Sequence, residues 1–230
     1  MRLSELHVDS DRLADLCEEY GVSRLEAFGS FVRGDAAPGS DLDMLVTFQP
    51  GAKGGLRIVA LHQALEVLFG RPVDLLTRGS VERSPNKYFR RFDRRSRCMS
   101  ALEPRERDLV KCEDMRIHAA RDREFLGERT PDEFLADQLV QAAVIRCVEV
   151  IGVAARLVSD ETRKRSPEIP WPLITGMRNV LAQHYGSVIL DKVYEVVTEH
   201  VPELLARLGP LIEPLEKDVG WDETRASEAP

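Results

Sequence analysis

Two aspartates, Asp41 and Asp43, stand one residue apart, and ten residues separate them from a Gly-Ser pair, Gly29-Ser30. Side chains two apart on a strand project to the same face, so a strand through this stretch offers two carboxylates to one hard cation. Mg2+ is usually held by one or two carboxylates together with substrate phosphates. Leu42 and Met44 fall on the opposite face, towards a core. Gly29 lets the backbone approach a phosphate closely, Ser30 places a hydroxyl beside main-chain amides able to form an anion-binding nest, and Arg33 can add a charge-assisted bond. The stretch asks for a phosphate and a metal ion, although Asp-Leu-Asp after a turn also serves as a simple polar strand start.

These residues need a scaffold, and the hydrophobic periodicity supplies one. Residues 11–20 read as an amphipathic helix stopped by Gly21. Residues 25–28 form a first short strand and 41–48 a second, followed by the loop Gln49-Pro50-Gly51-Ala52-Lys53-Gly54-Gly55. Residues 56–69 carry Leu61, Ala64, Leu65 and Leu68 at helical spacing, and residues 73–76 are a third strand. A small mixed sheet layered with helices follows, with the acidic cluster at its edge. Residues 83–97 interleave seven basic side chains with Tyr88, Phe89 and Phe92, which suits a helix that packs its aromatics on the sheet and leaves a solvated basic face.

Beyond residues 100–104 the strand signals vanish. Residues 106–126 are helical. Thr130-Pro131-Asp132-Glu133 is a capping box with proline at the first helical position. It launches a long helix to about residue 158 with an apolar stripe of Leu135, Leu139, Ala142, Ile145, Val148 and Ile151. After Pro167 and Pro170, residues 171–183 resume as helix, residues 190–212 add one or two more split at Pro202, and residues 219–230 read as a tail. The expected fold class is α+β: a mixed-sheet domain over residues 1–100, then an all-α bundle over residues 105–218.

Hydrophobic content of 43% with 31% charged residues suits a folded globular chain and excludes a disordered one. The most apolar window, residues 142–157, is interrupted by Arg146, Glu149 and Arg156, and the N-terminus lacks a signal-peptide pattern. A cytoplasmic protein without a membrane partner is expected. Cys17, Cys98, Cys112 and Cys147 form no C-x-x-C pair, so buried free thiols are expected instead of a metal or redox motif. The formal charge of −7 is concentrated after residue 104, where 24 acidic residues face 17 basic ones, and this argues against broad electrostatic binding of nucleic acid.

Gly-Ser, ten residues and Asp-x-Asp together resemble the signature of the minimal nucleotidyltransferases of the DNA polymerase beta superfamily, the MntA type. The resemblance implies a third carboxylate on a later strand, and Arg71-Pro72-Val73-Asp74-Leu75-Leu76 offers Asp74. It further implies ATP as substrate, Mg2+ held by Asp41, Asp43 and Asp74, and a triphosphate seated by Gly29, Ser30, Arg33 and Ser40.

In the second half, Ile169-Pro170-Trp171, Gly176-Met177-Arg178-Asn179 and Tyr185 resemble the HepT-like HEPN family, whose toxins are metal-independent RNases with a motif of Arg, Asn, three residues, His, one residue and Tyr. In that family a separate MntA nucleotidyltransferase adenylylates the motif tyrosine. Here the histidine place holds Gln183, and His184 follows one position later. Position 183 lies roughly 140° around a helix from Arg178 and position 184 roughly 240°, so His184 points elsewhere. An amide cannot act as a general base, and such groups contribute about 10² to 10⁴ in rate; an attenuated RNase is expected. Arg178, Asn179 and Gln183 equally suit side-chain hydrogen bonds that tie the bundle together, and Tyr185 suits an amphipathic role with its ring in the bundle and its hydroxyl at the surface.

The two resemblances imply a fused toxin-antitoxin-type protein that transfers AMP from Mg-ATP to a tyrosine, Tyr185, in a homodimer paired through the bundle or onto a separate HEPN toxin. RNA is a candidate partner, with Arg178 as a catalytic candidate and His184 another where looser versions of the motif admit it. A small-molecule nucleotidyltransferase of the aminoglycoside-modifying kind and a non-catalytic nucleotide- or RNA-binding module are the alternatives.

Overall fold

In the computed structural model, which describes residues 9–28, 41–52, 55–94, 102–183 and 190–221, the chain divides into two compact units, residues 1–102 and 103–230. The first opens with α1 (Ser10–Tyr20). Asp9 caps it by accepting from the backbone N–H groups of Asp11 and Arg12, and Gly21 ends it in the left-handed region at φ 67°, a conformation that glycine adopts without steric cost. There follow β1 (Val22–Phe28), β2 (Leu42–Phe48), α2 (Arg57–Phe69), β3 (Val73–Thr77), α3 (Arg78–Glu82) and α4 (Lys87–Arg94).

The sheet is mixed, in the order β1-β2-β3, with β2 antiparallel to β1 and parallel to β3. Leu42, Met44 and Val46 of β2 pack with Leu61 and Leu65 of α2, and α1 adds Leu13, Cys17 and Tyr20. On the other face Leu45 meets Val81 of α3, with Leu76 and Phe89 against them. Helices thus cover both faces, and β2 is buried along most of its length. Of the helix expected over residues 83–97, the described part is α4, which starts only at Lys87 because Asn86 caps it by accepting from the N–H groups of Tyr88 and Phe89; residues 95–97 lie outside the described residues. Tyr88 is buried, as its packing role requires.

The second unit is helical: α5 (Pro104–Leu126), α6 (Pro131–Ala136), α7 (Gln138–Leu157), α8 (Asp160–Arg165), α9 (Trp171–Gln183), α10 (Leu190–Glu195), a π-helical turn (Val196–His200) and α11 (Val201–Asp218). Helix α7 packs between α5 and α9, and α11 lies on α5. Length and composition alone would let α7 cross a membrane, but in this unit it is the central core helix. Asp108 of α5 fastens α8 by accepting from the backbone N–H and hydroxyl of Ser159 and from the hydroxyl of Thr162.

The continuous helix expected over residues 130–158 is broken at Asp137. That residue has φ −106° and ψ 89°, and its carboxylate caps α7 by accepting from Leu139 N and Val140 N. The capping box at Thr130 therefore starts only the short α6. The break also changes which residues face inward. Val140, Val144, Cys147, Val148 and Ile151 are buried, whereas Leu139, expected in the apolar stripe, is 80% exposed. At the other end of the unit α11 runs on to Asp218 despite Pro210 and Pro214. Cys112 and Cys147 are buried free thiols and Cys17 is half-buried; Cys98 lies outside the described residues.

Candidate active site

The carboxylates are positioned by the sheet. Asp43 lies in the central strand, flanked in register by Phe28 of β1 and Asp74 of β3. In a parallel pair, residues in register project to the same face, so Asp43 and Asp74 stand side by side. Asp41 immediately precedes β2, at the end where both β2 and β3 begin, and Leu42 N donates to Pro72 O at 2.8 Å to close that end of the ladder. Asp43 is buried at 1% exposure, while Asp41 and Asp74 are exposed. One carboxylate thus anchors the group from inside and two present it to solvent.

The electrostatics join the three elements. The Asp74 carboxyl is raised above the ordinary carboxylate range, first by partial burial and then by the negative charge of Asp41, while His62 pulls it back down. Like charges gathered at one strand end disfavour full ionisation, and a divalent cation offsets that crowding. With three carboxylate oxygen donors, the set fits a hard cation such as Mg2+. Asp41, Asp43 and Asp74 would hold it.

Phe28, the partner of Asp43, is the last described residue before Gly29, so the chain enters the Gly-Ser stretch beside the buried carboxylate. Gly29, Ser30, Arg33 and Ser40 lie outside the described residues, as do His184 and Tyr185. Arg178, Asn179 and Gln183 fall on the last turns of α9. That helix borders an apolar groove, where its Leu173, Ile174 and Met177 face Val148 and Ile151 of α7 and Leu204 of α11.

Two residues beside the carboxylates had escaped the sequence reading: His62 and Glu66 of α2, which reach the backbone of Val73. The legible signal was a His-Glu pair at helical i,i+4 spacing just ahead of the strand that carries Asp74.

Comparison with known proteins places families on both units. Residues 12–100 match the nucleotidyltransferase domain family, and residues 115–210 match the family described as ribonuclease HepT-like. The protein adenylyltransferase MntA of Thermococcus cleftensis is 40% identical over 68 residues, which is 30% of this chain and 68% of that protein. From the same organism, "Probable ribonuclease HepT" is 34% identical over 88 residues, 38% of this chain and 80% of the relative. A Methanocaldococcus jannaschii protein, whose name joins a gamma-glutamylcyclotransferase to an inferred RNase, is 34% identical over 95 residues; these are 41% of this chain and 43% of that one, so the chain spans less than half of that relative. No solved structure gives a significant match.

Proposed function

Because the chain belongs to the nucleotidyltransferase domain family through residues 12–100 and to the HepT-like ribonuclease family through residues 115–210, we propose that it is a fused toxin-antitoxin-type protein whose first unit transfers AMP from ATP to a protein tyrosine hydroxyl. The observation that carries the transferase reading is the register that sets buried Asp43 beside Asp74. The choice of a protein acceptor is supported by the MntA relative, a protein adenylyltransferase.

In this reading Asp41, Asp43 and Asp74 would hold Mg2+, which would supply positive charge to offset that developing on the phosphates. Gly29, Ser30, Arg33 and Ser40 seat the triphosphate. The acceptor oxygen forms a bond to the α-phosphorus, the bond from that phosphorus to the β-bridging oxygen breaks, and pyrophosphate leaves. Asp74 accepts the hydroxyl proton, a role suited to a carboxylate made more basic by burial and by Asp41. The protein is cytoplasmic and acts as a homodimer paired through the helical unit.

The acceptor is Tyr185 of a second copy. It follows Arg178 by seven residues, about two helical turns, so AMP there would set negative charge and bulk against a phosphate-binding arginine and block RNA. Incubation with Mg-ATP followed by peptide mass spectrometry is expected to find AMP on the Tyr185 peptide and none in Tyr185→Phe. Modification of an added HEPN toxin with none on Tyr185 would make the protein a trans-acting antitoxin instead.

The helical unit is an attenuated RNase because Gln183 stands where the motif requires a titratable group. Gln183→His is expected to raise metal-independent RNA cleavage by about tenfold or more, with Arg178→Ala abolishing the gain. Strong cleavage by the unaltered chain, lost in His184→Ala and unaffected by Gln183→Ala, would move the active position to His184.

A further inference from the structure

Among the described residues β3 is an edge strand, and the residue before Asp74 has both backbone polar groups on the side away from β2. Along a strand these groups alternate in direction, and in parallel pairing one residue's N–H and C=O point to the same side. Pro72 O accepts from Leu42 N, so residues 72 and 74 face β2 while Val73 faces away from it. Val73 is 5% exposed, and buried backbone groups require partners.

Helix α2 supplies both. Val73 N donates to Glu66 Oε1 at 3.3 Å. His62 Nε2 lies 2.7 Å from Val73 O, and since a carbonyl oxygen only accepts, Nε2 carries the proton. His62 and Glu66 are one turn apart, with Nδ1 3.8 Å from Glu66 Oε2. Side chains thus take the place that a fourth strand would fill, and they do so at the residue adjoining Asp74.

We propose that His62 and Glu66 form a clamp that positions Asp74: by holding Val73 from the outer edge of the sheet they fix the register that sets the Asp74 carboxylate beside Asp43. The proposal rests on the reading of these aspartates as the metal site. His62 and Glu66 are positioning residues, and neither needs to touch nucleotide. A functional carboxylate displaced by about 1 Å loses up to about 10² in rate, so a clamp one residue away is a lever on chemistry more than on nucleotide binding.

The test compares His62→Leu, which keeps volume and removes the donor, with His62→Gln, which keeps an N–H donor at similar reach. On the full chain we would measure Mn2+ affinity by electron paramagnetic resonance, amide exchange across residues 73–75, and the kcat and KM of AMP transfer. His62→Leu is expected to weaken Mn2+ binding about tenfold, lower kcat about tenfold or more with KM for ATP changed less than about threefold, and speed exchange at Val73. His62→Gln should restore most of each. A His62→Leu protein with parental Mn2+ affinity and exchange overturns the clamp, and so does a folded His62→Gln as impaired as His62→Leu. If the unaltered chain neither binds Mn2+ nor transfers AMP, the metal-site reading itself fails, and unchanged exchange at Val73 in His62→Leu then counts separately against the clamp.

Discussion

Asp43→Asn should lower AMP transfer by about a thousandfold, the equivalent of about 4 kcal/mol of lost transition-state stabilisation. The substitution conserves volume at a position that is 1% exposed in the central strand, so folding is retained while the innermost metal-binding charge is lost. Asp74→Asn should reduce kcat more than it weakens nucleotide binding. It should also leave the first unit slightly more stable, because a carboxylate raised by burial and by Asp41 opposes folding when ionised. Single-turnover release of pyrophosphate, read alongside thermal melts, checks both. A double Asp41→Asn/Asp43→Asn variant that releases pyrophosphate at the parental rate would place the chemistry elsewhere.

In the helical unit, Asp122→Leu is expected to stabilise the bundle by about 3 kcal/mol at pH 8 and above, since it removes a buried charge that has no compensating partner. Asp122 of α5 is fully buried, and among the described residues neither of its carboxylate oxygens has a hydrogen-bond partner. Burial pushes its pKa up to about 8. Below the unfolded-state value of about 4 the group is neutral in both states. As pH rises from there, the unfolded chain releases the proton and the folded chain keeps it, so stability falls until pH passes about 8 and then levels off. The full shift corresponds to an upper bound of about 6 kcal/mol at about 1.4 kcal/mol per unit, and relaxation of the surroundings brings the expected value below that. Calorimetry of the full chain from pH 5 to pH 9 should show the slope in the parent and its loss in Asp122→Leu; equal slopes in the two proteins would show that Asp122 ionises freely.

Local sequence signals located most elements because their ends carry strong chemistry. Gly21 and Gly70 both adopt positive φ where helices were read to stop. Asp41 and Asp43 precede and enter a strand, and the following helix and third strand bring Asp74 into register with Asp43. What stayed hidden depended on tertiary packing. Leu135 and Leu139 continue a helical period, so nothing local marks Asp137 as a break, yet its carboxylate gains two backbone donors by leaving the helix. Asp122 sits among charged neighbours in the sequence and reads as a surface residue, and only the packing of other helices against α5 buries it. The edge role of His62 and Glu66 is invisible until the strand order is known, because a helical i,i+4 pair looks the same beside solvent as beside a strand.

The buried thiols turn the helical bundle into its own clock. Burial raises the Cys112 thiol far above its ordinary range, and burial together with Asp122 raises Cys147 to about 11. Neither forms the reactive thiolate while the helices stay closed. Uptake of a thiol reagent at these two positions therefore counts openings between α5 and α7, whereas half-buried Cys17 reports on the first unit. The same molecule, with no label engineered into it, can thus reveal how often each unit breathes and whether ATP or RNA slows the rhythm of one without the other.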